Sequence, residues 1–382
     1  MNSNKVVAIK NTPLTPLKGG IAWVMQTIFE HKKFSEPIMQ RKASLVKILS
    51  AFMLMCVGLA SAQDTVNKTG TASAKFLAIP IGARAMAMGG AFVANADDAT
   101  AAYWNPGLLN HLEKTELYLM HSEYLADIKL EYVSFAFPLA DIGTVALSVT
   151  AMNMGEMLIT TVDDPEGLDT GTFDAGSYAI GLSYSRRLTD AFAIGGTFKY
   201  VSENIWNSRA TGIALDAGTI FRTPFKGIRL GVSISNFGTK MQISGDDLLV
   251  QQDIDPSIEG NNTSVNARLA TDRFDLPLNL RIGAAYDAMK TEQSRLTIEV
   301  DGLHPNDNSE SINSGAELAL LKERFFLRGG YRNLFQEDSE NSYTAGFGLR
   351  YASDAITFRI DYAYADQLHL QGVHQIGFAL AF

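Results

Sequence analysis

An all-β transmembrane antiparallel β-barrel of about fourteen strands, with an N-terminal hatch segment in its lumen, is the fold class that this 382-residue sequence predicts. Three observations predict it. From Thr115 to the C-terminus, apolar residues recur at every second position in runs of about ten residues, the period of a strand with two unlike faces. On those strands the charged residues fall on the face opposite the apolar one. Finally, the stretch from Lys75 to Leu109, KFLAIPIGARAMAMGGAFVANADDATAAYWNPGLL, is crowded with Ala, Gly and Met and fits neither a membrane helix nor an alternating strand.

The N-terminus reads as targeting sequence. Met39 opens MQRKASLVKILSAFMLMCVGLASAQ, in which Arg41, Lys42 and Lys47 form a basic n-region and Ile48 to Leu59 an apolar h-region. Ala60-Ser61-Ala62 is the small-residue cleavage site before Gln63. The h-region is too short to span a bilayer as a helix, which takes about 20 apolar residues, and no other stretch approaches that length. Residues 39–62 are therefore expected to be a Sec-type signal peptide and 1–38 a non-native N-terminal extension. The rival reading of 1–38 is a lengthened n-region.

The exported portion is acidic. The whole chain carries a formal charge of −9, and removing the eight basic and two acidic residues of 1–62 leaves 24 against 39, or −15. Nucleic acid is not expected as a partner, because a phosphate-binding surface needs a basic footprint. Cys56 is the only cysteine and lies in the h-region, so disulfides, thiolate metal sites and cysteine nucleophiles are all excluded from the mature chain. A composition 46% hydrophobic with 32 Gly and no spanning helix suits strands with one apolar face.

The last strand shows the pattern most plainly. In HQIGFALAF, His374, Ile376, Phe378, Leu380 and Phe382 share one face, and Gln375, Gly377, Ala379 and Ala381 the other. In the strand before it, Ile356, Phe358, Ile360, Tyr362 and Tyr364 oppose Thr357, Arg359, Asp361 and Ala363. An Arg or Lys facing lipid near the bilayer midplane costs about 2–4 kcal/mol, so the charged face must be the lumen. Arg281, Arg295, Glu299, Glu317, Arg328, Arg332 and Arg350 obey the same split.

Fourteen such segments lie near residues 115–123, 128–138, 143–152, 177–188, 191–203, 210–223, 227–236, 277–287, 294–303, 311–321, 324–333, 342–352, 355–365 and 370–382. The even number suits closure. Tight turns such as Leu188-Thr189-Asp190, Thr223 to Lys226 and Ser353-Asp354 alternate with longer loops, notably 153–176 and 237–276. Short turns are expected on the periplasmic side and long loops outside, with both chain ends periplasmic. Residues 63–114 are then the hatch and 115–382 the barrel. A soluble β-sandwich is the competing architecture, disfavoured by the signal peptide, the lumen charges and the terminal Phe382.

No enzyme motif stands out: there is no Gly-x-Ser-x-Gly elbow, no His pair at helical spacing and no phosphate loop. Gly346-Phe347-Gly348 sits in an alternating strand and lacks a third glycine. His369 and His374 read as rim histidines. Asp246, Asp247, Asp253, Asp255 and Glu259 offer oxygen ligands without the spacing of a calcium loop, so a solvated acidic loop is the preferred reading and no metal is expected. Asn261-Asn262-Thr263 matches a glycosylation acceptor with nothing else to support that use. The lumen charges Arg281, Glu299, Arg328, Arg350, Arg359 and Asp361 place opposite signs on neighbouring strands, Arg281 beside Glu299 and Arg350 beside Arg359 and Asp361. They form either a stabilising ladder, the default, or a conduction path.

The chain resembles the PorV/PorQ family of outer-membrane proteins, itself similar to the FadL long-chain fatty acid transporters. The resemblance covers nearly the whole mature chain. It runs from Phe76-Leu77-Ala78-Ile79-Pro80-Ile81-Gly82-Ala83-Arg84-Ala85 through Ala87-Met88-Gly89-Gly90-Ala91-Phe92, Asp97-Asp98 and Tyr103-Trp104-Asn105-Pro106-Gly107 to Gly155-Glu156-Met157, Thr160-Thr161 and Ser235-Asn236-Phe237-Gly238. The terminal aromatic strand also resembles the C-terminal signal that outer-membrane barrels present to their assembly machinery.

This resemblance implies a hatch motif made of Arg84, Gly89, Gly90, Asp97, Asp98, Trp104, Asn105, Pro106 and Gly107, with Arg84 and Asp97-Asp98 set to pair with wall charges. FadL-like proteins carry Asn-Pro-Ala in the hatch and release a hydrophobic compound sideways through a kinked strand; here Gly107 stands in place of that alanine. The secretion branch of the family reads Asp-Ala-Arg-Ala near the start of the hatch, where this chain has Gly82. PorV proteins serve the type IX secretion system by binding the C-terminal signal domain of exported cargo. The resemblance thus implies a non-enzymatic barrel without cofactors. Its expected partners are outer-membrane lipid, type IX secretion components or cargo signal domains, and, in the alternative reading, a hydrophobic ligand taken up through the hatch.

Overall fold

Fourteen strands close into an antiparallel barrel in the computed structural model, which describes residues 68–382 apart from 254, 256, 258–263, 337 and 338. The readings of 1–38, the signal peptide at 39–62, Cys56, Glu259 and Asn261-Asn262-Thr263 lie outside the described residues. The strands are β1 (Glu116–Glu123), β2 (Lys129–Pro138), β3 (Thr144–Leu158), β4 (Thr172–Thr189), β5 (Phe192–Ile205), β6 (Ser208–Arg222) and β7 (Arg229–Gly238). They continue as β8 (Asn279–Lys290), β9 (Arg295–Pro305), β10 (Ser311–Leu320), β11 (Phe325–Leu334), β12 (Asn341–Ala352), β13 (Thr357–Gln367) and β14 (Val373–Ala381). Each pairs with its sequence neighbours, and β1 closes on β14 with Leu119 opposite Phe378. Closure leaves every strand with two partners, which removes the exposed sheet edges that lipid cannot tolerate.

The two faces of the wall separate as the alternation requires. Outward residues such as Leu147, Leu182, Ile282 and Ile376 are each more than half exposed, while the inward Glu299, Glu317 and Asp361 are buried. An apolar band of this extent around a closed sheet belongs in hydrocarbon, not in water. This excludes the β-sandwich. No helix among the described residues is long and apolar enough to cross a membrane, a statement that does not bear on strands.

Each of the fourteen expected segments falls on a strand, and the largest difference lies at the β3–β4 hairpin. Both strands run on past their expected ends, shrinking the loop from 153–176 to 159–171. The cause is a register shift between Asn153 and Glu156, where Gly155 takes φ 75°. An inserted residue reverses which side chains face in, so the alternation breaks although the pairing continues. The long segment between β7 and β8 carries a small hairpin of Leu249–Gln252 with Val265–Arg268, and Ser244–Gly245 adds to the end of β6.

Inside the barrel lies the N-terminal segment, built of two short α-helices, α1 (Ala83–Ala87) and α2 (Ala101–Trp104), and 3-10 turns at Lys75–Ala78 and Pro106–His111. Its path runs from one rim of the barrel to the other, and the N-terminal end expected on the periplasmic side lies outside the described residues. Ser73 donates its N–H to Asp275 O (2.9 Å) and Lys75 pairs with Asp307 (2.5 Å), both in connections on the long-loop rim. At the other end Arg187 Nη2 reaches Asn110 O (3.4 Å) near the short turns, and Phe382 N–H donates to Thr115 O (2.9 Å). The hatch thus carries the chain through the lumen before β1 begins. Its first described residues sit at the loop rim and the C-terminus at the turn rim.

Candidate functional site

A hatch of Ala, Gly and Met has little secondary structure to satisfy its own backbone, and its buried backbone groups must find partners elsewhere. Inward side chains of the wall supply them. Asp301 Oδ2 accepts the N–H groups of Phe92 (2.8 Å) and Val93 (3.1 Å), and Glu299 Oε1 that of Ala94 (2.7 Å). Glu116 Oε1 accepts from Ala99 N (2.8 Å). Thr344 Oγ1 bridges two hatch groups, accepting from Gly89 N (2.9 Å) and donating to Ala87 O (3.0 Å).

The hatch's own polar side chains fold it onto itself. Trp104 Nε1 donates to Ile81 O (2.8 Å) and the Tyr103 hydroxyl to Ile79 O (2.8 Å), drawing the first and last turns together. Asn105 is fully buried and uses both ends of its amide: Nδ2 donates to Val93 O (2.8 Å) and to Thr219 O on β6 (2.9 Å), while Oδ1 accepts from Gly107 N (3.1 Å). Pro106 then starts a 3-10 turn, where its missing N–H costs nothing.

Steric fit is as close as the polar fit. Gly89 has φ 67°, and a Cβ there would lie 2.7 Å from Ser314 O and from the Tyr331 backbone. Gly107 has an ordinary φ but backs onto the wall: a Cβ would stand 2.8 Å from Gly218 O and 3.0 Å from Thr219 Cα, both main chain. The departure from Asn-Pro-Ala therefore has a local cause. Wall glycines reciprocate, with Gly218 under Asn105, Gly231 under Val93, and Gly315 and Gly330 under Met88.

Charge joins hatch to wall through one chain of ion pairs. Arg84 meets Asp97 within the hatch and Glu317 on β10 (Nε–Oε2 2.8 Å, Nη2–Oε1 3.1 Å). Glu317 also holds Arg328 (2.8 Å) and Arg295 (3.1 Å); Arg328 continues to Asp361 (2.7 Å), Asp361 to Arg359 (2.8 Å), and Arg359 returns to Asp98. Within this chain each carboxylate thus has a cation and each cation a carboxylate, the condition under which burying charge is tolerable. Fixed in this way, the groups tie the hatch to β10 and β13.

Two pairings take a different form from the one expected. Arg281 does not meet Glu299. Its guanidinium lies over the rings of Trp104 (5.2 Å) and Tyr103 (5.8 Å), because Glu299 is turned to the hatch backbone. Arg350 is opposite Arg359 in register, yet its partner is Glu323 (3.4 Å) in the β10–β11 turn. Gly90 packs near Trp104. His374 bonds the Tyr362 hydroxyl (2.7 Å), and His369 pairs with Glu340 (2.9 Å). Asp247 accepts from Asn207 N (3.0 Å) and Ser208 Oγ (2.8 Å), pinning the long segment to the β5–β6 turn. Sequence reasoning did not single out Asp301 or Glu116; Asp301 carries the available signal, standing two positions after Glu299 on the same inward face.

The motif Ser235-Asn236-Phe237-Gly238 builds a bulge. Asn236 takes φ 63°, and the β6–β7 register shifts between Leu215 and Ala217. Asp216 Oδ1 accepts the Asn236 N–H (2.8 Å), Lys199 pairs with Asp216 (2.6 Å), and Asn236 Nδ2 donates to Pro277 O (3.1 Å). At the loop rim, between the ends of β3–β6 and the returning segment where Met241 and Phe274 pair, lies a cavity of about 500 Å³.

The model of the type IX secretion system protein PorV matches residues 61–304, which take in the hatch and most of the wall through β9. The chain belongs to the PorV family. No curated protein matches it. Among solved structures, the CymD monoaromatic hydrocarbon channel is similar at 13% identity and a TM-score of 0.51, covering 79% of this chain and 97% of that one. The toluene transporter TodX of Pseudomonas putida is similar at 13% identity and a TM-score of 0.50, with the same coverage. A FadL homologue of Pseudomonas aeruginosa matches at 14% identity and a TM-score of 0.44, over 82% and 97% of the two chains. At these identities the likeness is one of fold: this PorV family member is a FadL-like outer-membrane barrel.

Proposed function

We propose that this chain is a hatch-closed, non-catalytic barrel of the type IX secretion system, exported through the signal peptide at 39–62, that receives exported protein at its loop rim. The observation that carries the reading is the apolar character of the loop tips. Val162 and Leu168 in the β3–β4 loop, Phe335 after β11 and Leu368 and Leu370 after β13 are all more than half exposed. These lie beyond the strand ends, where apolar side chains serve protein contact rather than lipid contact. The hatch motif acts here as a seal, Arg84, Asp98 and Asn105 holding the lumen shut while the rim engages its partners. The test is affinity recovery in mild detergent. The wild-type chain is expected to retain secretion components and cargo signal domains, and Val162→Asp with Phe335→Asp to lose them while remaining a heat-modifiable barrel. Recovery of neither partner class by the wild type overturns the role.

A second reading, uptake of a hydrophobic small molecule, is favoured by the cavity at the rim together with the fold shared with the hydrocarbon channels. In this reading the lumen charges also line the route that opens when the hatch moves. It predicts slower growth of a deletion strain on such a compound; uptake at the wild-type rate counts against it.

A further inference from the structure

We infer that the rim cavity binds an alkylammonium amphiphile, an apolar stem ended by a positive group, in preference to a fatty carboxylate. The inference deepens the small-molecule reading and rests on it. The cavity, about 500 Å³, lies within the range of small-molecule sites, about 300–1,000 Å³. Its apolar wall comes from Met154, Met241, Ile243 and Phe274, and methionines give such a wall an adaptable surface.

The charge of the lining is one-sided. Glu203 and Asp272 are its ionisable groups, and no Lys, Arg or His borders the cavity among the described residues. Several other lumen and rim carboxylates are paired with a cation, Asp307 with Lys75, Asp275 with Lys240 and Asp216 with Lys199, while Glu299, Asp301 and Glu116 are taken up by hatch backbone N–H groups. Glu203 and Asp272 enter no ion pair among the described residues. Glu203 Oε2 accepts one hydrogen bond, from Ala74 N (3.0 Å), at the hatch's first turn. A half-buried carboxylate over an apolar cavity attracts a cation and repels another carboxylate. Nearby arginines do not neutralise it: Arg209 lies on the outward, exposed face of β6, and Arg273 is turned to Gln242 (3.0 Å).

The test is native mass spectrometry of the full chain in nonionic detergent, titrated separately with decan-1-amine, decan-1-ol and decanoate. The amine is expected to form one saturable adduct at least about tenfold tighter than decanoate, a difference of about 1.4 kcal/mol. Glu203→Gln should lower amine affinity to that of the alcohol and leave the alcohol unchanged; Asp272→Asn, at an exposed position, supplies a second variant should the first misfold. Decanoate binding as tightly as the amine overturns the charge preference while leaving a hydrophobic-ligand site standing. Absence of a saturable adduct with all three overturns both the inference and the small-molecule reading.

Discussion

Removing the carboxylate of Glu317 tests whether ion pairing holds the hatch. Glu317 is completely buried and contacts three guanidiniums: Arg84 on the hatch, and Arg295 and Arg328 on the wall. Breaking a buried pair from one side costs about 3–5 kcal/mol, because an uncompensated charge is left behind. Here each arginine keeps another carboxylate: Asp97 for Arg84, Glu323 for Arg295 (2.8 Å) and Asp361 for Arg328 (2.7 Å). Glu317→Gln also leaves one acceptor oxygen. The low end of the range therefore applies, about 3 kcal/mol, or on the order of 100-fold in the population of the undocked hatch.

Hydrogen exchange reads that population directly. The amides of Phe92, Val93 and Ala94 are bonded to Asp301 and Glu299, so they exchange when the hatch leaves the wall. In Glu317→Gln their exchange should quicken on the order of 100-fold, while amides of β4 and β5, on the other side of the barrel, keep the wild-type rate. Unchanged exchange at 92–94 would refute the claim that ion pairing holds the hatch. An equal acceleration in β4 and β5 would refute it differently, by showing that Glu317 stabilises the barrel as a whole.

Two further outcomes follow from the turn-rim end of the hatch. Gly107→Ala brings a methyl group against the β6 main chain, and overpacking of this kind costs about 1–3 kcal/mol; a lower heat-modification temperature is expected, and an unchanged one would mean that the hatch can step away from β6. His111, at the end of the same turn, has its pKa lowered to about 4, first by burial and then by the charge of Arg222. Its unfolded form takes up a proton near pH 6.5 and its folded form only near pH 4. Stability from this residue is therefore full above about pH 6.5 and is lost as pH falls toward 4. The urea midpoint of the wild type should fall relative to His111→Asn across that window, and a pH-independent difference would sink the assignment.

What could be read from the chain and what could not divide along a physical line. Period-two alternation follows from the pleat alone, so the inward positions of Arg281, Glu299, Arg328, Arg359 and Asp361 were legible one strand at a time. Their partners were not. Arg84 and Glu317 are 233 residues apart, and their meeting depends on the path of the hatch and on nine strand-to-strand registers accumulated around the wall. Arg281 and Glu299 illustrate the cost of reading neighbours from adjacency alone: both face the lumen, yet hatch backbone competes for the carboxylate and hatch aromatics for the guanidinium.

The same logic explains why the hatch could be recognised but not built from its residues. A segment with no period of its own takes its shape from what surrounds it, so Gly107 is intelligible only once Gly218 stands behind it. That dependence also constrains function. Because the wall supplies partners for the hatch backbone at Asp301, Glu299, Glu116 and Thr344, any passage through the lumen must first break those bonds and the Arg84–Glu317 and Arg359–Asp98 pairs. Engagement at the loop rim needs none of this. A barrel that works by holding a partner at its mouth can keep its hatch closed throughout, whereas a channel must open it.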